Sequence, residues 1–493
     1  MEKTTHFPSK EEFISHAEAS NVIPVYREVL SDMDTPVSAF MKIDDGKDAF
    51  LLESVEGGEK WGRFSFLGVA PRAVIRSKGD ITEIIEDGVE REVTGDPLET
   101  LKNFMSKFKV AKVDGVPMFT GGSIGYLGYD MVRHFEKLPD TTTDELQLYD
   151  MYQMLTDTML VFDRVKQKIM VIANVFLNES DSVEDSYNKA TAKIDMFIEK
   201  LGAPLQKAPL KKEAVDVSVD SNFKKEDFLK SVESTKEYIR SGDIIQAVIS
   251  QRFVTKYDGS ALGIYRALRT INPSPYMFYL RLGDIELAGS SPEILVKVEG
   301  DEINVRPIAG TRPRGGNAKE DEALEKELLA DPKERAEHIM LVDLGRNDIG
   351  RVSRTGSVKV DELMVIERYS HVMHIVSNVH GIKADNVDSF DVLRASFPAG
   401  TLSGAPKIRA MEIIEEVEPC KRGVYGGCVG YFSFNGDMDV CITIRTVLVK
   451  DGKCYLQAGA GIVADSDPES EYQETVNKAA GILKAVSVSR EEI

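Results

Sequence analysis

Four apolar segments lie close together between residues 276 and 308, and they limit the possible folds of this 493-residue chain more than any other feature. Short turns separate these segments, whose bounds are 276–282, 285–289, 293–298 and 303–308. Turns of this length join antiparallel strands, whereas parallel sheets need long crossovers. We therefore predict an antiparallel meander in this part of the chain.

Helices and further strands alternate along the rest of the chain. One or two short helices are predicted within residues 1–35, including an amphipathic turn at 22–30, and a continuous strand is predicted at 438–449. Longer helices are predicted at 182–201, 224–241 and 468–486. Antiparallel strands with interspersed helices indicate the α+β class.

One segment with few large apolar residues, 206–221, is predicted to be a linker. We assign residues 1–205 to an N-terminal α+β domain and residues 222–493 to a second domain. The length predicts two or three cores, and an apolar fraction of 42% is enough to fill them.

Composition and charge exclude several classes of function. The four cysteines form no close pair, so they predict free thiols and neither a zinc site nor disulfides. The net charge of −20, without a long basic stripe, argues against nucleic-acid binding. No apolar run is long enough to span a membrane, and the polar N-terminus does not resemble a signal peptide. We therefore expect a cytoplasmic location.

Two Asp-Pro pairs predict the starts of two helices. Asp331-Pro332 is one, because Asp is a good N-cap and Pro fits the first helical position, and this helix is expected to end near residue 343. It carries Glu337, whose carboxylate is either an ion-pair partner or a metal or acid/base group. Asp467-Pro468 starts the other helix.

This last helix carries Glu471 and Glu474, three residues apart and therefore able to share one face. Carboxylates that converge from two helices suit a hard cation such as Mg²⁺, bound partly through oxygens of a substrate. Glutamates in a first helical turn usually only complement the helix dipole, so both interpretations stay open.

Three further features could contact an anionic substrate. The glycine-rich segments 398–407 and 459–463 are predicted to be turns before helices, where bare N–H groups favour carboxylate or phosphate. Arg445 interrupts an apolar strand and is expected to pair with a carboxylate. His374, among apolar residues, is either a core histidine or a general base.

Eight blocks of sequence together resemble a known family. In chain order they are SPE (291–293), PIAGTRPRG (307–315), EHIMLVDLGRND (337–348), RYSHVMHIVS (368–377), FPAGTLSGAPK (397–407), GVYGGCVGYF (423–432), TIRT (443–446) and GAGIVADSDPESEYQET (459–475). They fall in the order seen in chorismate-utilising enzymes, and the chain most resembles the large subunits of anthranilate synthases. The resemblance implies antiparallel sheets packed as a sandwich with helices on the outside.

The resemblance also implies a site. One Mg²⁺ would be held by Glu337 and Glu474, with Glu334 and Glu471 in a second sphere. The implied catalytic residues are His374, Glu293 and Thr311. The implied substrate-binding residues are Gly310, Thr401, Tyr425, Arg445, Gly459, Ala460 and Gly461.

The implied reaction converts chorismate and ammonia to anthranilate and pyruvate, the first step of tryptophan biosynthesis. The ammonia would come from a glutamine amidotransferase small subunit in a heterotetramer. Isochorismate and salicylate synthases carry a lysine base where this chain has Gln246, and aminodeoxychorismate synthases usually carry a lysine at the position of Ala309. The alternatives are an aminodeoxychorismate synthase large subunit and, with less support, an isochorismate synthase.

In the family, tryptophan is a feedback inhibitor that binds a separate site. The matching residues here are Glu53, Ser54, Pro275, Tyr276, Met277, Val429, Tyr431 and Cys441. A non-catalytic amino-acid-binding subunit is the alternative from another class. The set Glu337, Glu474, His374 and Arg445 argues against it, because a binding module does not need all four.

Overall fold

The computed structural model describes residues 5–54, 62–178, 180–205, 218–369 and 372–491. Its strands form two large sheets in which neighbouring strands pair antiparallel. Phe50 and Leu51 of one sheet share a buried cluster with Ile124 and Tyr126 of the other, so the sheets pack face to face. The predicted α+β sandwich is therefore confirmed.

The strands have the following bounds in chain order: β1 Val22–Leu30, β2 Ala49–Glu53, β3 Phe64–Val69, β4 Ala73–Lys78, β5 Ile81–Glu86, β6 Val89–Thr94, β7 Gly122–Leu127, β8 Met151–Thr156, β9 Thr158–Asp163, β10 Lys168–Phe176, β11 Asp220–Ser221, β12 Gln246–Lys256, β13 Tyr276–Leu282, β14 Ile285–Ser291, β15 Ile294–Glu299, β16 Glu302–Val305, β17 Ile308–Pro313, β18 Lys359–Arg368, β19 Val372–Ile382, β20 Gly404–Ala405, β21 Cys428–Ser433, β22 Met438–Ile442, β23 Thr446–Lys450 and β24 Lys453–Ile462.

The α-helices are α1 Lys10–Ala17, α2 Pro36–Ile43, α3 Pro97–Ser106, α4 Val183–Leu201, α5 Lys225–Arg240, α6 Ala261–Ile271, α7 Ala318–Ala330, α8 Pro332–Gly350, α9 Ser389–Ser396, α10 Lys407–Val417 and α11 Pro468–Glu491. Short 3₁₀ turns occur at Tyr129–His134 and Gly400–Leu402. The longer helices predicted from the sequence are confirmed. None of the helices in the described ranges is long and apolar enough to cross a membrane.

Both sheets contain strands from before and after the predicted linker. The first sheet has the order β1-β10-β9-β3-β2-β13-β14-β23-β24-β12-β11, and β20 pairs with β12. The second has the order β17-β19-β16-β15-β22-β21-β7-β8-β4-β5-β6, and β18 pairs with β19. Strand β2 pairs with β13, and β7 pairs with β21, so the two predicted parts share both sheets. Residues 206–217 of the linker lie outside the described residues.

The structure corrects the sequence prediction near the N-terminus. Residues 22–30, predicted as an amphipathic turn, form strand β1. Every residue from Val22 to Leu30 has a partner on β10, and this pairing suits the β-branched residues of the segment. Only α1 is helical in the first 30 described residues.

The predicted meander at 276–308 is also wrong as a single sheet. Strands β13 and β14 pair in the first sheet, whereas β15 and β16 pair in the second. The chain therefore changes sheets at Pro292 and Glu293. The predicted strand at 438–449 is likewise divided into β22 and β23, which belong to different sheets. Arg445 lies at this break with a left-handed φ of 51°.

Candidate functional site

The two points at which the chain changes sheets lie side by side. The N–H of Ile442 donates to the carbonyl of Glu293 at 3.0 Å, and the N–H of Ser290 donates to the carbonyl of Arg445 at 3.2 Å. These bonds hold Glu293 and Arg445 next to one another. The side chains of both residues line a cavity of about 240 Å³.

Eight of the twelve predicted catalytic, substrate-binding and metal-binding residues line this cavity. They are Glu293, Glu337, Thr401, Tyr425, Arg445, Gly459, Gly461 and Glu474. Gln246 and Glu471, singled out in the sequence for other reasons, line it as well. The structure thus brings together residues from helices α8 and α11, strands β12 and β24, two turns, and the two points at which the chain changes sheets.

Arg445 does not have the carboxylate partner that the sequence predicted. It forms no ion pair with a described residue, and its NH1 donates to the carbonyl of Lys478 at 3.4 Å. Burial lowers the pKa of the Arg445 guanidinium, and the charge of Glu293 opposes this effect. A half-buried guanidinium at a cavity wall suits a carboxylate ligand, which can accept two parallel N–H bonds.

The glycine-rich segment 459–463 is not the predicted turn, because Gly459 to Ile462 form the end of β24. Gly459 pairs with Ser250 of β12, and its carbonyl accepts from Nζ of Lys478 at 2.9 Å. In an antiparallel strand the N–H and C=O of one residue point to the same edge. The N–H of Gly459 therefore also points to this edge, next to the cavity.

Close neighbours leave no room for a side chain at two positions of this strand, Gly459 and Gly461. A Cβ on Gly459 would lie 2.8 Å from the hydroxyl of Tyr425 and 3.0 Å from the carbonyl of Ile249. A Cβ on Gly461 would lie 2.7 Å from Nε2 of Gln246. Any side chain here would displace groups that line the cavity.

Glu337 and Glu474 reach the cavity from two helices whose starts were predicted correctly. Asp331 caps α8 by accepting from the N–H groups of Lys333 and Glu334, and Asp467 accepts from the N–H of Ser470 in α11. Helix α8 ends at Gly350, later than predicted. The cap fixes where the first turn of α8 begins, and this places Glu337 in the second turn.

The carboxylates around Glu337 form a negatively charged group that suits a cation. Burial raises the pKa of Glu337, and the neighbouring carboxylates of Glu334 and Glu474 raise it further. Glu474 forms an ion pair with Lys478 at 2.6 Å. Among the described residues no group of three or more acidic, His or Cys side chains could hold a metal alone. Two carboxylates plus ligand oxygens are a donor set that Mg²⁺ accepts.

Two other glutamates lie close to Glu337 and Glu474. Glu334 accepts from Arg312 at 3.3 Å, so its charge is partly neutralised. Glu471 lines the cavity, and burial raises its pKa. These positions agree with supporting roles beside Glu337.

The other predicted site residues lie outside the cavity wall. Nδ1 of His374 donates to the carbonyl of Gly310 at 3.0 Å, and the same nitrogen lies 3.1 Å from Oγ1 of Thr311. The three residues therefore form one cluster on β17 and β19. Burial lowers the pKa of His374. The side chain of Ala460 points into a buried apolar cluster instead.

Comparison with known proteins gives the family of this site. Residues 47–484 match the model of the family described as chorismate binding enzyme. The chain belongs to the chorismate-binding enzymes.

Relatives within the chorismate-binding enzymes are similar over nearly the whole chain. Anthranilate synthase component 1 of Acetivibrio thermocellus is 51% identical, covering 98% of this chain and 99% of the relative. The protein of the same name from Aquifex aeolicus is 49% identical, with 98% of each covered. A solved structure of anthranilate synthase component I from Streptococcus pneumoniae has a TM-score of 0.76 at 37% identity, covering 92% of this chain and 98% of that one.

A solved structure with much lower sequence identity shows the same fold. The menaquinone-specific isochorismate synthase of Escherichia coli has a TM-score of 0.71 at 19% identity, covering 97% of this chain and 99% of that one. The sandwich is therefore common to enzymes whose names give different products.

A second cavity, of about 360 Å³, lies where the two predicted parts of this chorismate-binding enzyme meet. All eight residues of the predicted inhibitor site line it: Glu53, Ser54, Pro275, Tyr276, Met277, Val429, Tyr431 and Cys441. One wall is aromatic, because Phe119 and Tyr431 stack with their ring centroids 4.0 Å apart. Glu53 is bound by Arg164 at 3.0 Å and by Arg269 at 2.9 Å, so its charge is already neutralised.

Three polar residues of the first cavity were not identified as site residues from the sequence. Lys333, Lys478 and Gln457 line it. Lys478 could have been found, because it lies four residues after Glu474 and therefore on the same helix face. Gln457 lies two residues before Gly459 on one strand edge, and this alternation is visible only once β24 is known to be a strand.

Proposed function

We propose that the chain converts chorismate and ammonia to anthranilate and pyruvate with the help of Mg²⁺. The observation that carries the proposal is the pairing of two opposite binding features in one cavity. Arg445 and the backbone N–H of Gly459 can bind one carboxylate. The acidic side chains of Glu337 and Glu474 can hold a cation, and that cation can bind a second carboxylate. Chorismate is a small ring with two carboxylates, which matches this arrangement.

Each residue has a physical role in the proposed reaction. Mg²⁺ held by Glu337 and Glu474 would neutralise the ring carboxylate, which makes addition of a nucleophile easier. Arg445 and Tyr425 would orient the enolpyruvyl side chain. Burial raises the pKa of Glu293, which favours a protonated carboxyl that can donate to the departing 4-hydroxyl. His374 lies behind the cavity wall, near enough to Arg445 for that charge to affect its pKa, and the lowered pKa keeps it neutral. We propose that this neutral imidazole takes up the C2 proton as pyruvate leaves.

The alternatives differ in the nucleophile and in the last step. At the position of Gln246 the water-using relatives have a lysine base, and a neutral amide cannot activate water in that way. Ala309 is almost completely buried on β17, and alanine cannot form the covalent adduct that a lysine forms. Both residues favour anthranilate over isochorismate or aminodeoxychorismate.

Product identity tests the proposal directly. The purified chain is incubated with chorismate, MgCl₂ and an ammonium salt at mildly alkaline pH, and the products are separated and identified. We expect anthranilate, recognised by its fluorescence, together with an equal amount of pyruvate. Aminodeoxychorismate or isochorismate as the main product would move the assignment to the corresponding relative.

Thr401→Val is expected to shift the pH dependence of the reaction. Oγ1 of Thr401 donates to Glu293 at 3.0 Å, and this bond lowers the pKa of the carboxyl. Without it the pKa of Glu293 rises, so the carboxyl stays protonated to higher pH. We expect the alkaline limb of kcat to move to higher pH, measured at constant free ammonia. Thr443→Val is the control, because the Thr443 hydroxyl is buried, bonds to no described residue and does not line the cavity. An unmoved limb in Thr401→Val would argue against Glu293 as the acid.

Gly459→Ala is expected to raise the KM for chorismate by about tenfold, equal to about 1.4 kcal/mol of binding free energy. The new methyl group would lie only 2.8 Å from the Tyr425 hydroxyl and 3.0 Å from the Ile249 carbonyl, so Tyr425 or the strand edge must shift. Gly481→Ala is the matched control, since nothing lies within 4 Å of its added Cβ. Equal KM values for both variants would show that the Gly459 edge does not bind chorismate.

We also propose that tryptophan binds the second cavity and inhibits the enzyme. The stacked aromatic wall suits an indole, and Asp439 and Lys297 in the same wall provide charges of both signs for the amino-acid group. Cys441 pairs with Val429 and with Ile294, next to Glu293, so a small shift of these strands would reach the first cavity.

Two further proposals concern the setting of the reaction. The name component 1 of the relatives implies a partner component, and we propose a glutamine amidotransferase that supplies ammonia, in a heterotetramer. We propose a cytoplasmic location, which agrees with four buried cysteines that are all free.

A further inference from the structure

A buried ion pair lies directly behind the wall of the first cavity. Arg422 and Glu418 follow α10 in the chain, and their side chains are only 2% and 3% exposed. Nε of Arg422 donates to Oε2 of Glu418 at 2.9 Å, and NH2 donates to Oε1 at 2.6 Å. This is a bidentate pair, which has a fixed geometry as well as charge complementarity.

The remaining donors of Arg422 hold two segments of the cavity wall. NH1 donates to the carbonyl of Leu402 at 2.6 Å, and NH2 donates to the carbonyl of Val248 at 2.7 Å. Both Leu402 and Val248 line the cavity, whereas Arg422 does not. The arginine thus ties the segment that carries Thr401 to strand β12.

Glu418 extends the network to a third segment. Its Oε1 accepts from the N–H and from Oγ of Ser250, both at 2.8 Å. Oγ of Ser250 in turn accepts from Nε2 of Gln457 at 2.8 Å, and Gln457 lines the cavity on β24. Strand β24 also carries Gly459, so the network reaches the strand edge that is proposed to bind a carboxylate.

The guanidinium of Arg422 also lies between two tyrosine rings. It is 4.7 Å from the ring centroid of Tyr129 and 5.7 Å from that of Tyr425. Tyr425 lines the cavity, and its hydroxyl lies close to Gly459. Cation–π attraction at these distances helps to fix the position of the Tyr425 ring.

We propose that Arg422, held by Glu418, is a positioning residue that sets the shape of the chorismate-binding wall. This inference rests on the proposed function. Leu402, Val248, Gln457 and Tyr425 all line the cavity. The buried guanidinium contacts three of them directly, and it reaches Gln457 through Glu418 and Ser250. Lysine keeps the charge but has a single ammonium group, so it cannot reproduce the planar fork or the stacking.

The chain offers a matched control near the end of the same helix, α10. Arg133 donates through NH2 to Oε2 of Glu415 at 2.7 Å, and the two side chains are 18% and 9% exposed. Glu415 belongs to α10, and neither partner lines the first cavity. Arg133→Lys therefore disturbs a buried pair of the same kind without disturbing the cavity wall.

The test compares Arg422→Lys, Arg133→Lys and the milder Ser250→Ala with the unchanged chain. KM for chorismate, kcat and the melting temperature are measured for each. We expect Arg422→Lys to raise KM by about tenfold, because small displacements of binding groups are costly. Ser250→Ala is expected to raise it by about threefold through the lost bond to Glu418. Arg133→Lys is expected to lower the melting temperature while KM stays unchanged.

The outcomes separate the two proposals. If the unchanged chain forms no anthranilate, the proposed function fails. If the chain is active but Arg422→Lys keeps its KM, the positioning role of Arg422 is refuted. An equal rise of KM in Arg133→Lys refutes it as well, because the effect would then reflect stability alone. If Arg422→Lys does not fold, Ser250→Ala decides, and an unchanged KM for that variant overturns the proposal.

Discussion

Glu337→Gln is expected to lower anthranilate formation by roughly a thousandfold, because losing several kcal/mol of metal-dependent stabilisation costs about tenfold in rate per 1.4 kcal/mol. The amide has the size of the carboxylate but carries no charge. Glu474→Gln is expected to have a similar effect. Steady-state rates over a wide range of MgCl₂ concentrations measure the loss, and Mn²⁺ binding followed by electron paramagnetic resonance measures the metal site without turnover.

Glu469→Gln is the matched control for this prediction. Glu469 lies in the first turn of the same helix as Glu474, but it pairs with Lys225 and does not line the cavity. It should keep both the rate and Mn²⁺ binding of the unchanged chain. Normal Mn²⁺ binding by Glu337→Gln and Glu474→Gln would remove both residues from the metal site, whatever their effect on the rate.

The position of Glu337 shows what the sequence could predict. Asp331-Pro332 and Asp467-Pro468 are local signals, since capping and the proline ring act within one helical turn. They located both helix starts correctly, and with them the carboxylates that reach the cavity. The resemblance to a family then related Glu337 to Glu474, which lie 137 residues apart in the sequence.

The two points at which the chain changes sheets show what the sequence could not predict. The sequence predicts a short turn around Pro292 inside one meander and a continuous strand around Arg445, because apolar residues flank both segments on both sides. Whether a strand continues in its sheet or enters the next one depends on distant partners, here β23 for β14 and β22 for β15. Strand propensity reports only local preference, so it cannot identify these partners.

The same limit explains residues 22–30 and the glycines of β24. The apolar residues of Val22–Leu30 fit both the 3.6-residue period of a helix and the two-residue period of a strand. The segment is a strand because it pairs with β10. Gly459 and Gly461 indicate a turn by composition, yet in the structure they allow the close approach of Tyr425 and Gln246. In both cases tertiary neighbours override the local signal.

Ser54→Phe is expected to leave the rate with chorismate unchanged and to raise the tryptophan concentration for half inhibition by roughly a hundredfold, equal to about 2.7 kcal/mol of binding free energy. Ser54 is 9% exposed, follows the last residue of β2 and lies in the wall of the second cavity. A phenyl ring would fill the space that an indole needs. The carbonyl of Ser54 accepts from Arg164 at 2.8 Å, and this backbone bond survives the substitution.

Ser54→Ala separates filling of the cavity from loss of the hydroxyl. It removes the same polar group without adding volume, so it should retain most of the inhibition. Calorimetric titration with tryptophan, in the absence of chorismate, should show weak binding by Ser54→Phe and much tighter binding by Ser54→Ala. Full inhibition of Ser54→Phe at the original tryptophan concentration would place the inhibitor outside this cavity. Equal loss of tryptophan inhibition in both variants would instead show that the Ser54 hydroxyl binds tryptophan. Alanine leaves the cavity open and differs from serine only in that oxygen.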